Sequence, residues 1–248
     1  MKKQHIIRLI VASMLVTLLA TPRSAVAQQV ASDTAQKVTK AGTTAIWGKI
    51  DGVAIEAAVE GPSTEATPLQ VACVFEYTEG DIFNSPPALP AAANGMVHLD
   101  QALGGIITDI RKTGKFSGHA LETLLITPPA GTISAGKLLL IGLGDRTKFT
   151  PELMITIASV AMREALKLGV PSFAFASDLK DAGIDSPTAL VAGYEVKGAF
   201  EAYRTQAYLK SKKMSDDTPL TKMTFLAGQA FFTTAGEGIK EAIATFNN

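Results

Sequence analysis

The segment that most constrains the fold runs from Lys137 to Leu168. An apolar run, Lys137-Leu-Leu-Leu-Ile141, enters the turn Gly142-Leu-Gly-Asp145, and a long amphipathic stretch follows from Thr150. This order reads as a buried strand, a glycine turn and a helix. Thr150 suits the N-cap, Pro151 the first helical position and Glu152 the positive end of the helix dipole. Leu153, Ile157, Ala161 and Ala165 step by four along one face, with Met154, Ala158 and Leu168 beside them, so the helix is expected to pack on a sheet. Gly169 ends it, and Ser172-Phe-Ala-Phe-Ala176 reads as the next strand. The result is a βαβ unit with parallel strands and a right-handed crossover.

The remaining segments fit the same α/β class. Thr43–Ile50 and Val53–Val59 flank Asp51-Gly52, the pattern of a hairpin closed by a type I′ turn. Leu69–Phe75 is almost wholly apolar and reads as an interior strand. Gly80–Gly95, with Pro86, Pro87 and Pro90, reads as a surface loop. His98–Lys112 has helical spacing, interrupted by Gly104-Gly105, which cost helix stability and suggest close packing or approach to a ligand. Leu121–Thr127 is a further strand, and Ser186-Pro187 opens a helix to about Leu209. Pro219–Leu226 forms the last strand and Gly236–Phe246 a short closing helix.

At its start the chain carries Lys2, Lys3 and Arg8, an uncharged run from Leu9 to Ala20, and Ala25-Val-Ala27. These are the three parts of a secretory signal peptide, with cleavage expected after Ala27. The domain expectation is therefore a signal peptide over 1–27, a loose leader over 28–41 and one domain over 42–248, in a periplasmic or secreted protein with no membrane association after cleavage. The full chain has 23 Lys and Arg against 23 Asp and Glu, and loss of the four basic residues of 1–27 leaves 19 against 23. A mildly acidic chain without a basic stripe argues against nucleic-acid binding. Cys73 is the single cysteine, so no intrachain disulfide forms, and its apolar neighbours suggest a buried side chain rather than a reactive thiol.

Catalytic signatures are missing from the sequence. His98 and His119 have no second His or Cys at ligand spacing, and no nucleophile elbow, zinc-protease helix or P-loop is found. Gly142-Leu-Gly-Asp-Arg-Thr147 follows a strand as a dinucleotide fingerprint would, but Thr147 stands where the third glycine belongs. No cofactor or metal is expected. By the rule that ligands gather beyond the carboxyl ends of parallel strands, three loops are candidates: Gly80–Asn84, Gly142–Asp145 and Ser177-Asp178. Gly80, Asp81, Gly142, Gly144 and Asp145 are the candidate binding residues. The alternative for the two later glycines is that they only permit the turn.

Several segments in order carry a family resemblance. Leu99-Asp-Gln-Ala-Leu-Gly-Gly105, Gly114-Lys-Phe-Ser-Gly118 with Glu122-Thr-Leu-Leu125, Leu138-Leu-Leu-Ile-Gly-Leu-Gly144, and Ala192-Gly-Tyr194 with Phe200–Tyr203 together resemble the amino-terminal domain of the leucine (cytosol) aminopeptidase family. The resemblance covers about residues 43–246. It implies a macrodomain-like, three-layer α/β/α sandwich with a mixed, mostly parallel sheet. In that family the two-metal site belongs to a carboxy-terminal domain, and none of its marker residues has a counterpart in this sequence. The resemblance therefore implies a non-enzymatic binding or assembly module. The partners it suggests are a second copy of the chain or a separately encoded aminopeptidase catalytic subunit. Gly80-Asp-Ile82 and Ala91-Ala-Ala-Asn94 also resemble the segments around the ADP-ribose pocket of macrodomains, which leaves a nucleotide or other anionic small molecule as an alternative ligand.

Overall fold

The computed structural model describes residues 38–81, 83–216 and 220–247. The expected signal peptide and most of the expected leader lie outside the described residues. Seven strands form one sheet: β1 (Thr44–Ile50), β2 (Val53–Ala58), β3 (Gln70–Phe75), β4 (Thr123–Ile126), β5 (Leu138–Gly144), β6 (Ser172–Ala176) and β7 (Lys222–Leu226). Their order across the sheet is β1-β2-β7-β6-β3-β5-β4. The two edge pairs, β1/β2 and β4/β5, are antiparallel, and the pairings between β2 and β5 are parallel. The helices are α1 (Gly95–Ala102), α2 (Ile106–Lys112), α3 (Leu153–Lys167), α4 (Thr188–Ser211) and α5 (Phe232–Asn247).

Strong local signals are where sequence and structure agree. Asp51 and Gly52 have φ of 49° and 87°, the two positive values a type I′ turn needs, and they join β1 to β2. Every residue of β3 and of β5 is buried, which requires cover on both faces of the sheet. On one face α3 packs against β5 and β6 and α5 against β1 and β2, with α4 between the two helices. The segment carrying α1 and α2 contributes Met96, Val97, Leu99, Ile107 and Ile110 to the same core. The sandwich is therefore three-layered.

Five local expectations are corrected. Gly142 and Gly144 lie in β5 rather than in a turn beyond it. Gly142 has no room for a side chain, because an added Cβ would sit 2.0 Å from the His119 carbonyl oxygen. The N–H of Gly144 donates to Gly118 O at 2.9 Å, and its φ is +77°. Both glycines thus let the 118–121 segment cross the end of the strand. Residues 98–112 do not form one helix: Gly104 and Gly105, at φ 69° and 82°, end α1 and open α2, and a Cβ on either would meet nothing within 4 Å. Left-handed backbone, not close packing, is their reason. Residues 80–95 are not simply surface, since Asp81, Phe83 and Asn94 are buried. Finally, α3 starts at Leu153 after a tighter turn in which Leu153 N–H donates to Thr150 O, and α5 starts at Phe232 rather than Gly236.

Glycines also set the spacing of the helical layer. A Cβ on Gly198 of α4 would lie 1.8 Å from Ile155 O of α3, and one on Gly238 of α5 would lie 1.8 Å from Ala189 O of α4. Ser159 Oγ of α3 donates to Gly198 O at 2.8 Å across the first crossing. The three helices therefore meet backbone to backbone. Among the described residues no helix is long and apolar enough to cross a membrane.

Candidate functional site

Strands β2, β7 and β6 are neighbours and run parallel, so their carboxyl ends open side by side. Connections reverse direction beside them: β6 leads through α4 to β7 on one side, while β3 leads through α1 and α2 to β4 on the other. Such a switch point leaves a crevice. Here it is a cleft of about 580 Å³. Ala57, Ala176 and Phe225 stand at the strand ends, Val191, Ala192 and Ile239 come from α4 and α5, and Leu89, Gly95 and His98 close the opposite wall. Thr39 N–H donates to Gln229 O at 2.9 Å, which lays the segment ahead of β1 along the rim.

The polar part of the cleft is acidic. Glu60, Asp178, Asp181 and Glu195 line it, against Lys180 and His98. Asp178 Oδ2 accepts the N–H of Cys73 at 3.1 Å, tying the loop after β6 to β3. Asp181 Oδ2 accepts Met96 N–H at 3.0 Å and also the N–H of Gly95, so it occupies the N-terminus of α1. Asp178 and Asp181 are hydrogen-bonded to one another. Burial, and then the neighbouring Asp181 charge, push the Asp178 carboxyl well above the usual carboxylate range. Burial raises Asp181 to about 6 despite those two N–H donors. Both carboxyls are therefore harder to ionise than exposed ones, Asp178 the more so.

Glu195 sits deeper, 5% exposed on α4. Burial pushes its carboxyl up to about 8, with the Ser177 hydroxyl opposing that shift. Its Oε1 has no hydrogen-bond partner, and neither has Thr188 Oγ1 at the start of α4. Both residues line the cleft. Buried polar atoms normally find partners, so two orphans on one cavity wall mark a place where a ligand or water completes the bonding. Lys180 Nζ donates to Ser186 O at 2.7 Å and lies 5.5 Å from the centre of the Phe231 ring. Cys73 is sealed behind this wall, fully buried, and its thiol is held well above the ordinary range by burial and then by the charge of Asp178. Among the described residues no group of three or more His, Cys, Asp or Glu side chains could hold a metal ion.

The five residues singled out in the sequence are not brought together. Gly144 and Asp145 line a second, more open depression with Glu76, Lys148 and Glu152. Asp145 is engaged there as a cap: its Oδ1 accepts Thr147 N–H at 2.9 Å and the Thr147 hydroxyl at 2.7 Å, bonds that hold its carboxyl below the usual range. Gly80 and Asp81 line neither space. Asp81 is buried and paired with Arg111 at 2.6 Å. Asn94, from the macrodomain-like motif, is spent inside the fold: Oδ1 accepts Val97 N–H at 3.0 Å and Nδ2 donates to Asp181 O at 3.0 Å and Phe83 O at 3.1 Å. Of the three candidate loops, Ser177-Asp178 is the one on the cleft. Glu195 escaped the sequence reading although a signal existed: Val191, Glu195 and Ala199 follow one another at four-residue steps, which puts a carboxyl on an apolar face.

A mixed seven-stranded sheet between helical layers, with a cleft at the carboxyl ends of its parallel strands, defines a macrodomain-like α/β module. Two solved structures share the fold: a macrodomain variant from Oceanobacillus iheyensis, at TM-score 0.53 and 14% identity over 82% of this chain and 99% of that one, and a tomato leucine aminopeptidase variant, at 0.54 and 17% over 81% and 37%. Residues 82–212 match the cytosol aminopeptidase family, N-terminal domain, and the chain belongs to that family. It is 30% identical over 140 residues to a probable cytosol aminopeptidase of Roseiflexus castenholzii, covering 56% of this chain and 28% of that protein. It is also 30% identical over 166 residues to a probable cytosol aminopeptidase of Acidobacterium capsulatum, covering 66% and 31%. The chain thus spans under a third of the length of these relatives.

Proposed function

We propose that the chain is an exported, non-catalytic module that binds a small molecule in the cleft at the ends of β2, β7 and β6. One observation carries this reading: a cavity of about 580 Å³ in which Glu195 Oε1 and Thr188 Oγ1 are buried without partners. An anionic ligand is disfavoured because Asp181 already takes the α1 N-terminus where an anion would sit. Non-catalytic character is supported by the family match to an N-terminal domain and by the burial of Cys73, the chain's one thiol. Export is supported by the basic start, the apolar run and Ala25-Val-Ala27.

The test fills the cleft. Ala192→Phe places a ring on the α4 wall; a library of small metabolites is expected to raise the melting temperature of the wild-type chain for some members, and those shifts are expected to vanish in a folded Ala192→Phe variant. Identical responses in the two proteins would refute a cleft site. Amino-terminal sequencing of the exported protein is expected to start at Gln28.

A second reading rests on family membership: the chain works beside a separately encoded aminopeptidase catalytic subunit, or as a homo-oligomer. The relatives it matches carry the name cytosol aminopeptidase. Size-exclusion chromatography with affinity capture from periplasmic extract tests it, and a monomer that retains no metallopeptidase refutes it.

A further inference from the structure

Within the reading of the cleft as a ligand site, on which this inference rests, the chemistry of its walls names the ligand class. Four carboxyl residues face Lys180 and His98, and most of the rest of the lining is apolar: Val59, Leu89, Val191, Phe225, Phe231 and Ile239 among others. Glu195 is 5% exposed, lines the cleft, and its Oε1 lacks any partner. Thr188 adds a second unpartnered oxygen on the same helix, seven residues earlier. The α4 dipole would favour an anion only within its first turn. Glu195 is the eighth residue of α4, about 10 Å along the axis by the rise of 1.5 Å per residue, and so beyond that reach. At this depth the Glu195 carboxyl, bonded by the Ser177 hydroxyl and with Oε1 left open to the cleft, decides the sign.

We propose that the cleft receives an ammonium group carried on an apolar body, with the Glu195 carboxylate as the recognising group. An ammonium supplies three donors and no acceptor, which suits a carboxylate oxygen that lacks a partner. The apolar walls take the rest of the ligand, and a charge-assisted bond forms in a site shielded from water.

Binding on these terms moves a proton. Burial holds the empty-site Glu195 at about 8, so at pH 7 the carboxyl is mostly protonated, and an arriving ammonium drives that proton off. The groups around Glu195 are Cys73 from β3, Ser177, Asp178, Lys180 and Asp181 from the loop after β6, and, elsewhere on the cleft, His98 and Glu60, while α5 presents Ala235 and Ile239. Affinity for an ammonium ligand should rise roughly tenfold from pH 6 to pH 7 and level off above about 8, following one linked proton.

The experiment titrates the purified full chain with three probes of one shape: n-hexylammonium, 1-hexanol and hexanoate, by calorimetry at pH 6, 7 and 8. The ammonium is expected to bind at least tenfold tighter than the alcohol at pH 8, with the carboxylate weakest, and to tighten with pH as stated. In Glu195→Gln, which keeps the shape of the protonated side chain, the ammonium advantage and its pH slope are expected to disappear while the alcohol still binds. A wild-type cleft that takes 1-hexanol or hexanoate as well as the ammonium overturns the ligand class and leaves the cleft site standing. Heats from none of the probes overturn both. An ammonium preference unchanged in Glu195→Gln removes Glu195 as the recognising group and overturns the assignment.

Discussion

Removing the Asp81 carboxylate should destabilise the fold and leave the cleft intact. Asp81 Oδ2 lies 2.6 Å from Arg111 Nη2, and the two side chains are 4% and 1% exposed. Arg111 is held further by Ile107 O at 3.2 Å and Phe75 O at 3.4 Å, with its guanidinium 5.2 Å from the centre of the Phe83 ring. Thr108 Oγ1 donates to the same Asp81 oxygen at 2.8 Å. The carboxylate thus joins the loop after β3 to α2, and Asp81→Ala would leave a guanidinium buried without its counter-charge. Breaking one side of such a pair costs about 3–5 kcal/mol, or roughly 6–20 °C in melting temperature for a domain of this size. Replacing both partners with apolar groups is far milder, so Asp81→Ala with Arg111→Met should recover most of the loss. Urea unfolding of wild type, both single variants and the double variant forms a cycle that isolates the pair. A single-variant loss under about 1 kcal/mol, the range of an exposed pair, would refute the claim that this pair is sealed in the core.

Two further outcomes follow from the same geometry. Gly142→Ala forces a Cβ to within 2.0 Å of His119 O, whereas Gly104→Ala meets open space and strains only a φ of +69°; thermal unfolding should show a loss above about 3 kcal/mol for the first, at the upper end of overpacking costs, and about 1–2 kcal/mol for the second. Glu195 has a folded pKa near 8 against an ordinary 4.5, so the stability it contributes is complete below about 4.5 and is lost as pH rises through 8. Unfolding free energies from denaturant titrations should fall between pH 5 and pH 9 by an amount on the order of a few kcal/mol, and Glu195→Gln should flatten that fall. A wild-type profile as flat as the variant's would contradict the burial argument.

What the sequence disclosed was local. Asp51-Gly52 dictates its own turn, and the unbroken apolar runs of β3 and β5 announce strands covered on both faces, because these signals lie within a few adjacent residues. The roles of Gly142, Gly198 and Gly238 were hidden, since each is set by a backbone oxygen that arrives from 23, 43 or 49 residues away in His119, Ile155 and Ala189. Asp81 looked like a ligand residue for the same reason: its partner Arg111 is 30 positions on, and nothing in the motif names it. The cleft combines Glu60, Asp178, Asp181 and Glu195 with α1 and α5, and only the rule about strand ends pointed to part of it, the Ser177-Asp178 loop. Glu195 was readable in principle as a charge out of phase with its helix face.

The glycine crossings of the helical layer have a mechanical consequence. With α4 seated directly on the main chain of α3 at Gly198 and of α5 at Gly238, a slide along either axis drives carbonyl oxygens into Cα atoms within a fraction of an ångström. Such a seat behaves as a clamp with no slack, and amide exchange along the middle of α4 should be among the slowest in the chain. The helix that carries Glu195 is therefore the fixed jaw of the cleft. Any widening to admit a guest falls to the unclamped parts of the rim, the turns at residues 60–62 and 227–231 and the stretch ahead of β1 that is pinned to Gln229 by the Thr39 amide.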